Sequence, residues 1–170
     1  MPIYTHNHIK EQANNLIKEC NITKLPVDVR GIAQRLGIEV VEMSTDSWFY
    51  GMLTRYHDDF YIVINKMMPE SRKRFTIAHE LGHYKLHNDD LGYQRSPDKD
   101  HYHREADVFA LELCIPTSLL KQEAFSWFND HKFLADLFNV SEALMVKKME
   151  DLELIPKGKY SWDYVQWKAV

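Results

Sequence analysis

The stretch Phe75-Thr76-Ile77-Ala78-His79-Glu80-Leu81-Gly82-His83-Tyr84-Lys85-Leu86-His87 constrains the fold more than any other part of the chain. Phe75, Ala78, Leu81 and Leu86 recur at spacings that gather apolar groups on one broad face of a helix. Pro69 and Ser71 supply start signals, and Lys85 and His87 suit the negative C-terminal end. Histidines four apart share one side of a helix, one turn from each other. The imidazoles of His79 and His83 can therefore both reach a single zinc ion, which binds nitrogen at about 2.0–2.1 Å. Glu80 points about 100° round the helix. There it can act as a general base without occupying a coordination position. Gly82 costs about 1 kcal/mol in a helix interior, which implies that another segment approaches the backbone closely.

A helix of this kind needs a core to lie on, and a 45% hydrophobic fraction over 170 residues is enough for one domain with a small helical appendage. The formal net charge of −4 argues against a general nucleic-acid binder, which would show a basic surplus. Cys20 and Cys114 have no CxxC partner, so they read as reduced, partly buried thiols rather than a disulfide or a cysteine metal site. The first residues lack the basic and apolar regions of a signal peptide, and no run approaches the length of a membrane span. The expected location is the cytoplasm.

Ahead of the His-Glu helix, Ile9, Ala13, Leu16 and Ile17 describe an amphipathic helix from about Thr5 to Cys20. Asp28 caps a short second helix through Leu36, closed by Gly37. Ile38 to Met43, Trp48 to Thr54 and Phe60 to Asn65 read as strands, with a turn at His57-Asp58-Asp59. Together they predict a small antiparallel three-stranded sheet leading into the helix. An edge of that sheet would offer an extended peptide its backbone hydrogen bonds, although the sequence does not say which strand forms the edge. Asn88 to Tyr102 is a polar loop, suited to a rim or lid.

A catalytic zinc takes three protein ligands and one open position. His87 cannot be the third, because eight residues of helix place it about 12 Å from His79 along the axis. The next candidate segment, His103 to Pro116, reads as a helix with Ala106, Phe109, Ala110 and Leu113 on its apolar face. Glu105 sits at the start of that face. Spacing alone leaves it either a metal ligand or a first-turn acid favoured by the helix dipole. Asp107 points elsewhere and suits holding a histidine in its metal-binding tautomer. Beyond Pro116, Thr117 is placed to cap a further helix. Phe133 to Met149 then reads as a helix-turn-helix, with a turn at Asn139 and a cap at Ser141. Lys147 and Lys148 are offset by Glu150, Asp151 and Glu153, which favours packing over DNA contact. Tyr160, Trp162, Tyr164 and Trp167 mark an aromatic tail.

His79-Glu80-Leu81-Gly82-His83, followed by Glu105-Ala106-Asp107-Val108-Phe109-Ala110 and Leu113-Cys114-Ile115-Pro116, resembles the ImmA/IrrE family of metallopeptidases over roughly residues 25 to 155. This chain has Asp107 where the family commonly has asparagine, and Cys114-Ile115 where it has Leu-Met. The resemblance implies an α+β fold in which the sheet packs on a zincin-like active-site helix. The expected division of the chain is a peptidase domain with N-terminal helices over 1–125, a helix-turn-helix-like segment packed on it over 126–155 and an aromatic tail over 156–170. The resemblance implies His79, His83 and Glu105 as ligands of one zinc ion, and Glu80 as general base. It also implies a helix-turn-helix repressor as protein substrate, cut to relieve repression. Tyr84, His87, His101 and His103 are the candidates for an additional oxyanion donor. The alternative is a non-proteolytic metal-binding regulator that contacts a partner protein or DNA through its C-terminal helices, with His101 or His103 closing the metal site.

Overall fold

The computed structural model describes residues 4–87 and 99–158. Helices α1 (His6–Glu19) and α2 (Val29–Arg35) precede strands β1 (Ile38–Met43), β2 (Gly51–Tyr56) and β3 (Asp59–Asn65). Helices α3 (Glu70–His87), α4 (Lys99–Cys114), α5 (Thr117–Ser126), α6 (His131–Phe138) and α7 (Glu142–Asp151) follow. The polar stretch 88–98 and the aromatic tail beyond residue 158 lie outside the described residues.

Local chemistry sets most of the helix ends. The side chains of Thr5, Asp28, Asp130 and Ser141 each accept a backbone N–H from the first turn of α1, α2, α6 and α7. Asn139 ends α6 in the left-handed region, φ 49°, which a short polar side chain tolerates. Helix α5 departs from expectation. Thr117 is its first residue, and both its N–H and its hydroxyl donate to the carboxylate of Glu112 instead of capping α5.

The sheet is mixed, in the order β1-β3-β2, and this corrects the expected all-antiparallel arrangement. β2 and β3 form an antiparallel hairpin, whereas β1 pairs with β3 in parallel. The β1–β2 connection, residues 44–50, leaves a slot between its two strands, and β3 enters that slot. Asn65, at the end of β3, fastens the connection: its side-chain amide donates to the carbonyls of Asp46 and Phe49, both at 3.2 Å. Trp48 and Phe49, expected in a strand, belong to this connection.

Val40, Ile62 and Leu53 form a row across the three strands. Ile62 and Leu53 are fully buried and Val40 packs against the same core. Helix α3 contacts β2 and β3 as well as α2 and α4, and so runs through the middle of the molecule; α1 packs on α4. Cys20 and Cys114 are free and buried, as the sequence indicates, and burial pushes the Cys114 thiol up to about 12. In the α6–α7 pair, where a helix-turn-helix was expected, Ala143 to Val146 and Lys148 to Glu150 of α7 are all buried. No helix among the described residues is long and apolar enough to cross a membrane.

Candidate metal centre

Helix periodicity stacks His79, His83 and His87 along one side of α3, and α4 brings two further pairs with the same four-residue spacing. His103 and Asp107 reach the ring of His79. Its Nε2 lies 3.2 Å from His103 Nδ1, and its Nδ1 lies 2.8 Å from Asp107 Oδ1. His83 Nε2 is 3.1 Å from both His79 Nε2 and His103 Nδ1. Three imidazole nitrogens therefore converge on one point. α3 and α4 come close enough for this because position 82 has no side chain. A Cβ there would meet the Cα and carbonyl oxygen of Ala106 at 3.1 Å and Phe109 Cβ at 3.2 Å. The inference drawn from Gly82 in the sequence holds.

Among the described residues, the group whose ligand atoms gather is His79, His83 and His103. Glu105, expected as the third ligand, is not in it. Its carboxylate is 3% exposed and faces His87 Nε2 and His101 Nε2, each at 2.9 Å, and it accepts the Tyr4 N–H at 3.0 Å. The reason is angular. Residues two apart on a helix point about 200° away from each other, so His103 and Glu105 cannot both face one ion. A signal for His103 was available, because it lies four residues from Asp107. If Asp107 orients His79, the group beside it on α4 reaches the same place.

Glu80 adjoins this triad from the other side. Its carboxylate is 6% exposed and accepts the Leu53 N–H of β2 at 2.8 Å. Burial raises its pKa, outweighing the opposing charge of His79 and the Leu53 hydrogen bond. For His79, burial alone would lower the pKa, but the charge and hydrogen bond of Asp107 and the charge of Glu80 outweigh it and the net shift is upward. Burial, helped by the neighbouring histidines, drives His83 far below the usual imidazole range. The contact at Leu53 also identifies the sheet edge beside the site. Among the described residues β2 is an outer strand, and Leu53 directs its N–H to Glu80 of α3.

The donor set fits a metal ion. Asp107 accepts the Nδ1 proton of a neutral His79, leaving a lone pair on its Nε2. The separations of 3.1–3.2 Å are close to the ~3.3 Å edge of a tetrahedron with zinc–nitrogen bonds of ~2.0–2.1 Å. Among the described residues, three nitrogens gather there, one fewer than the four positions of a tetrahedral site.

Residues 33–150 match the family model of peptidase family M78, the IrrE N-terminal-like domain. The chain is 30% identical to the immunity region protein 2 of Bacillus phage phi105, over 67% of this chain and 72% of that protein. It is 26% identical to the metallopeptidase ImmA of Bacillus subtilis (strain 168), over 79% of this chain and 85% of that one. Among solved structures, a Mycobacterium tuberculosis transcriptional regulator superposes with a TM-score of 0.66 at 18% identity. That match covers 92% of this chain and 50% of the regulator, and it speaks to the fold alone.

Proposed function

The chain belongs to the ImmA/IrrE family of metallopeptidases, and from that membership we propose a zinc-dependent endopeptidase that cuts a helix-turn-helix repressor and thereby relieves repression. α3 is its zincin-like active-site helix. The observation that carries the reading is the convergence of His79, His83 and His103 beside a buried Glu80. The three histidines would hold one zinc ion. When bound, zinc supplies the Lewis acidity that polarises a peptide carbonyl and makes water nucleophilic near neutral pH.

The protein's own residues supply the rest. Glu80, held by the Leu53 N–H, takes the proton from the attacking water and returns it to the leaving amine. Asp107 keeps His79 in the tautomer that exposes Nε2. A substrate strand added along β2 would pass beside Glu80 and gain backbone hydrogen bonds before any side chain is read. A protein substrate connected with repression is supported by the relative named for a phage immunity region.

The alternative, a regulator that contacts a partner or DNA through α6 and α7, has less to stand on. α7 is buried along most of its length, Lys148 pairs with Glu112 at 2.6 Å, and Lys147 pairs with Asp151 at 2.7 Å.

The test is cleavage of a candidate repressor by the zinc-loaded protein. Glu80→Gln should retain zinc and lose cleavage, with a rate loss of at least about 10²–10⁴-fold. Cleavage at the wild-type rate would remove Glu80 from the base role.

A further inference from the structure

Resting on the metal-site reading above, we propose that Glu105 is a positioning residue, which acts through His87 to hold the His83 imidazole in the tautomer that presents a bare Nε2 to the metal. The argument is a count of protons along a chain of hydrogen bonds. Glu105 accepts the Tyr4 N–H and faces His87 Nε2 and His101 Nε2, each at 2.9 Å; held as an ionised carboxylate in this proposal, it can only accept, so both ring nitrogens donate to it. His87 therefore carries its proton on Nε2. A neutral imidazole has one N–H, so His87 Nδ1 is an acceptor. It faces His83 Nδ1 at 3.1 Å, and that nitrogen must donate. The proton of His83 is thereby fixed on Nδ1, and its Nε2 is left with a lone pair, 3.1 Å from both His79 Nε2 and His103 Nδ1.

Each ligand of α3 thus has its own carboxylate on α4. Asp107 acts on His79 directly, and Glu105 acts on His83 through one intervening ring. The relay follows from the spacing His79, His83, His87 on α3 and His101, Glu105 on α4. It gives Glu105 and His87 roles that neither a ligand nor an oxyanion donor would have.

Long-range proton–nitrogen NMR on the full, zinc-free chain reads the tautomers. The expected result places the His83 proton on Nδ1 and the His87 proton on Nε2. A His83 proton on Nε2 in the wild type overturns the proposal. Cobalt(II) titration then separates positioning from ligation. Glu105→Gln should weaken cobalt binding by about 10–100-fold with the visible bands of the bound ion unmoved, whereas His103→Ala should displace them. Bands displaced by Glu105→Gln and unmoved by His103→Ala would make Glu105 a ligand and overturn the proposal. Affinity within about twofold of wild type would do the same, since an outer partner of a ligand should matter more. If Glu105→Gln does not fold, His87→Phe breaks the same relay and should give the same loss with the same spectrum. A wild-type chain that takes up no cobalt but shows the expected tautomers overturns the metal-site reading, and with it the role of the relay toward a metal.

Discussion

His103 faces the pair on α3 from two residues away from Glu105, and that small offset decides what each can do. His103→Ala removes a nitrogen from the convergent set, whereas Asp107→Ala removes only the partner that orients His79. Loss of an orienting partner costs about 10–100-fold in metal affinity. The expected order is therefore a 10–100-fold loss for Asp107→Ala and a loss beyond ~100-fold for His103→Ala, measured by competition with a chelator. Equal losses in the two variants would place His103 outside the metal's immediate shell. That His79, Glu80 and His83 lie side by side was legible because all fall within one helical turn, where spacing alone fixes geometry. The third nitrogen of the cluster comes from a separate helix. The sequence shows that helix's own apolar face, but not its rotation against α3. Glu105 carries the kind of side chain that zinc accepts, but its place two residues on from His103 turns it toward His87 and His101.

Between elements, the contact that determines the site is the crossing of α3 and α4 at Gly82. Alanine would gain about 1 kcal/mol of helix propensity over glycine, but its Cβ would stand 3.1 Å from the backbone of Ala106. Backbone cannot turn aside as a side chain can, so the helices must separate. Overpacking of this kind costs about 1–3 kcal/mol, and the separation would pull His103 away from His79 and His83. Gly82→Ala is expected to lower Tm and weaken zinc binding together; unchanged zinc affinity would show that the crossing distance does not govern the site. Gly82 was readable as a close approach because a helix-interior glycine asks for an explanation. The direction of β1 was not readable in the same way. Chain order suggested that neighbours in sequence pair, and nothing in residues 44–50 reveals that their loop leaves room for β3. The side-chain amide of Asn65 ties that loop to the end of β3, beside the backbone bonds from Asn65 N–H to Tyr50 and from Lys66 N–H to Met43.

Across the whole molecule, one buried carboxylate links the C-terminal helices to the N-terminal part, beside the shared apolar core. Glu112 of α4 accepts from Asn14 of α1 at 3.0 Å, from the N–H and hydroxyl of Thr117 in α5 at 3.0 and 2.7 Å, and from Lys148 of α7 at 2.6 Å. Glu112 is 1% exposed and Lys148 2%. Removing one partner of such a pair leaves a buried charge uncompensated and costs about 3–5 kcal/mol. Glu112→Gln should therefore lower Tm by an amount on the order of 10 °C at pH 7. The pH dependence separates lost charge from lost packing. Burial would raise the Glu112 pKa, but the charge and hydrogen bond of Lys148, with the two donors of Thr117, outweigh it and the net shift is downward. A lowered carboxylate pKa contributes stability that is fully present above the unfolded value of about 4.3 and is lost as pH falls through the lowered folded value. The Tm gap between wild type and Glu112→Gln should stay constant from neutral pH down to about 5 and narrow as the medium is acidified further. A gap that persists unchanged at the lowest pH at which both proteins remain folded would mean that the shape of the glutamate, rather than its charge, attaches α7. Replacing both partners with methionine should recover most of the loss at neutral pH, since apolar pairs of similar volume often match or exceed a buried ion pair.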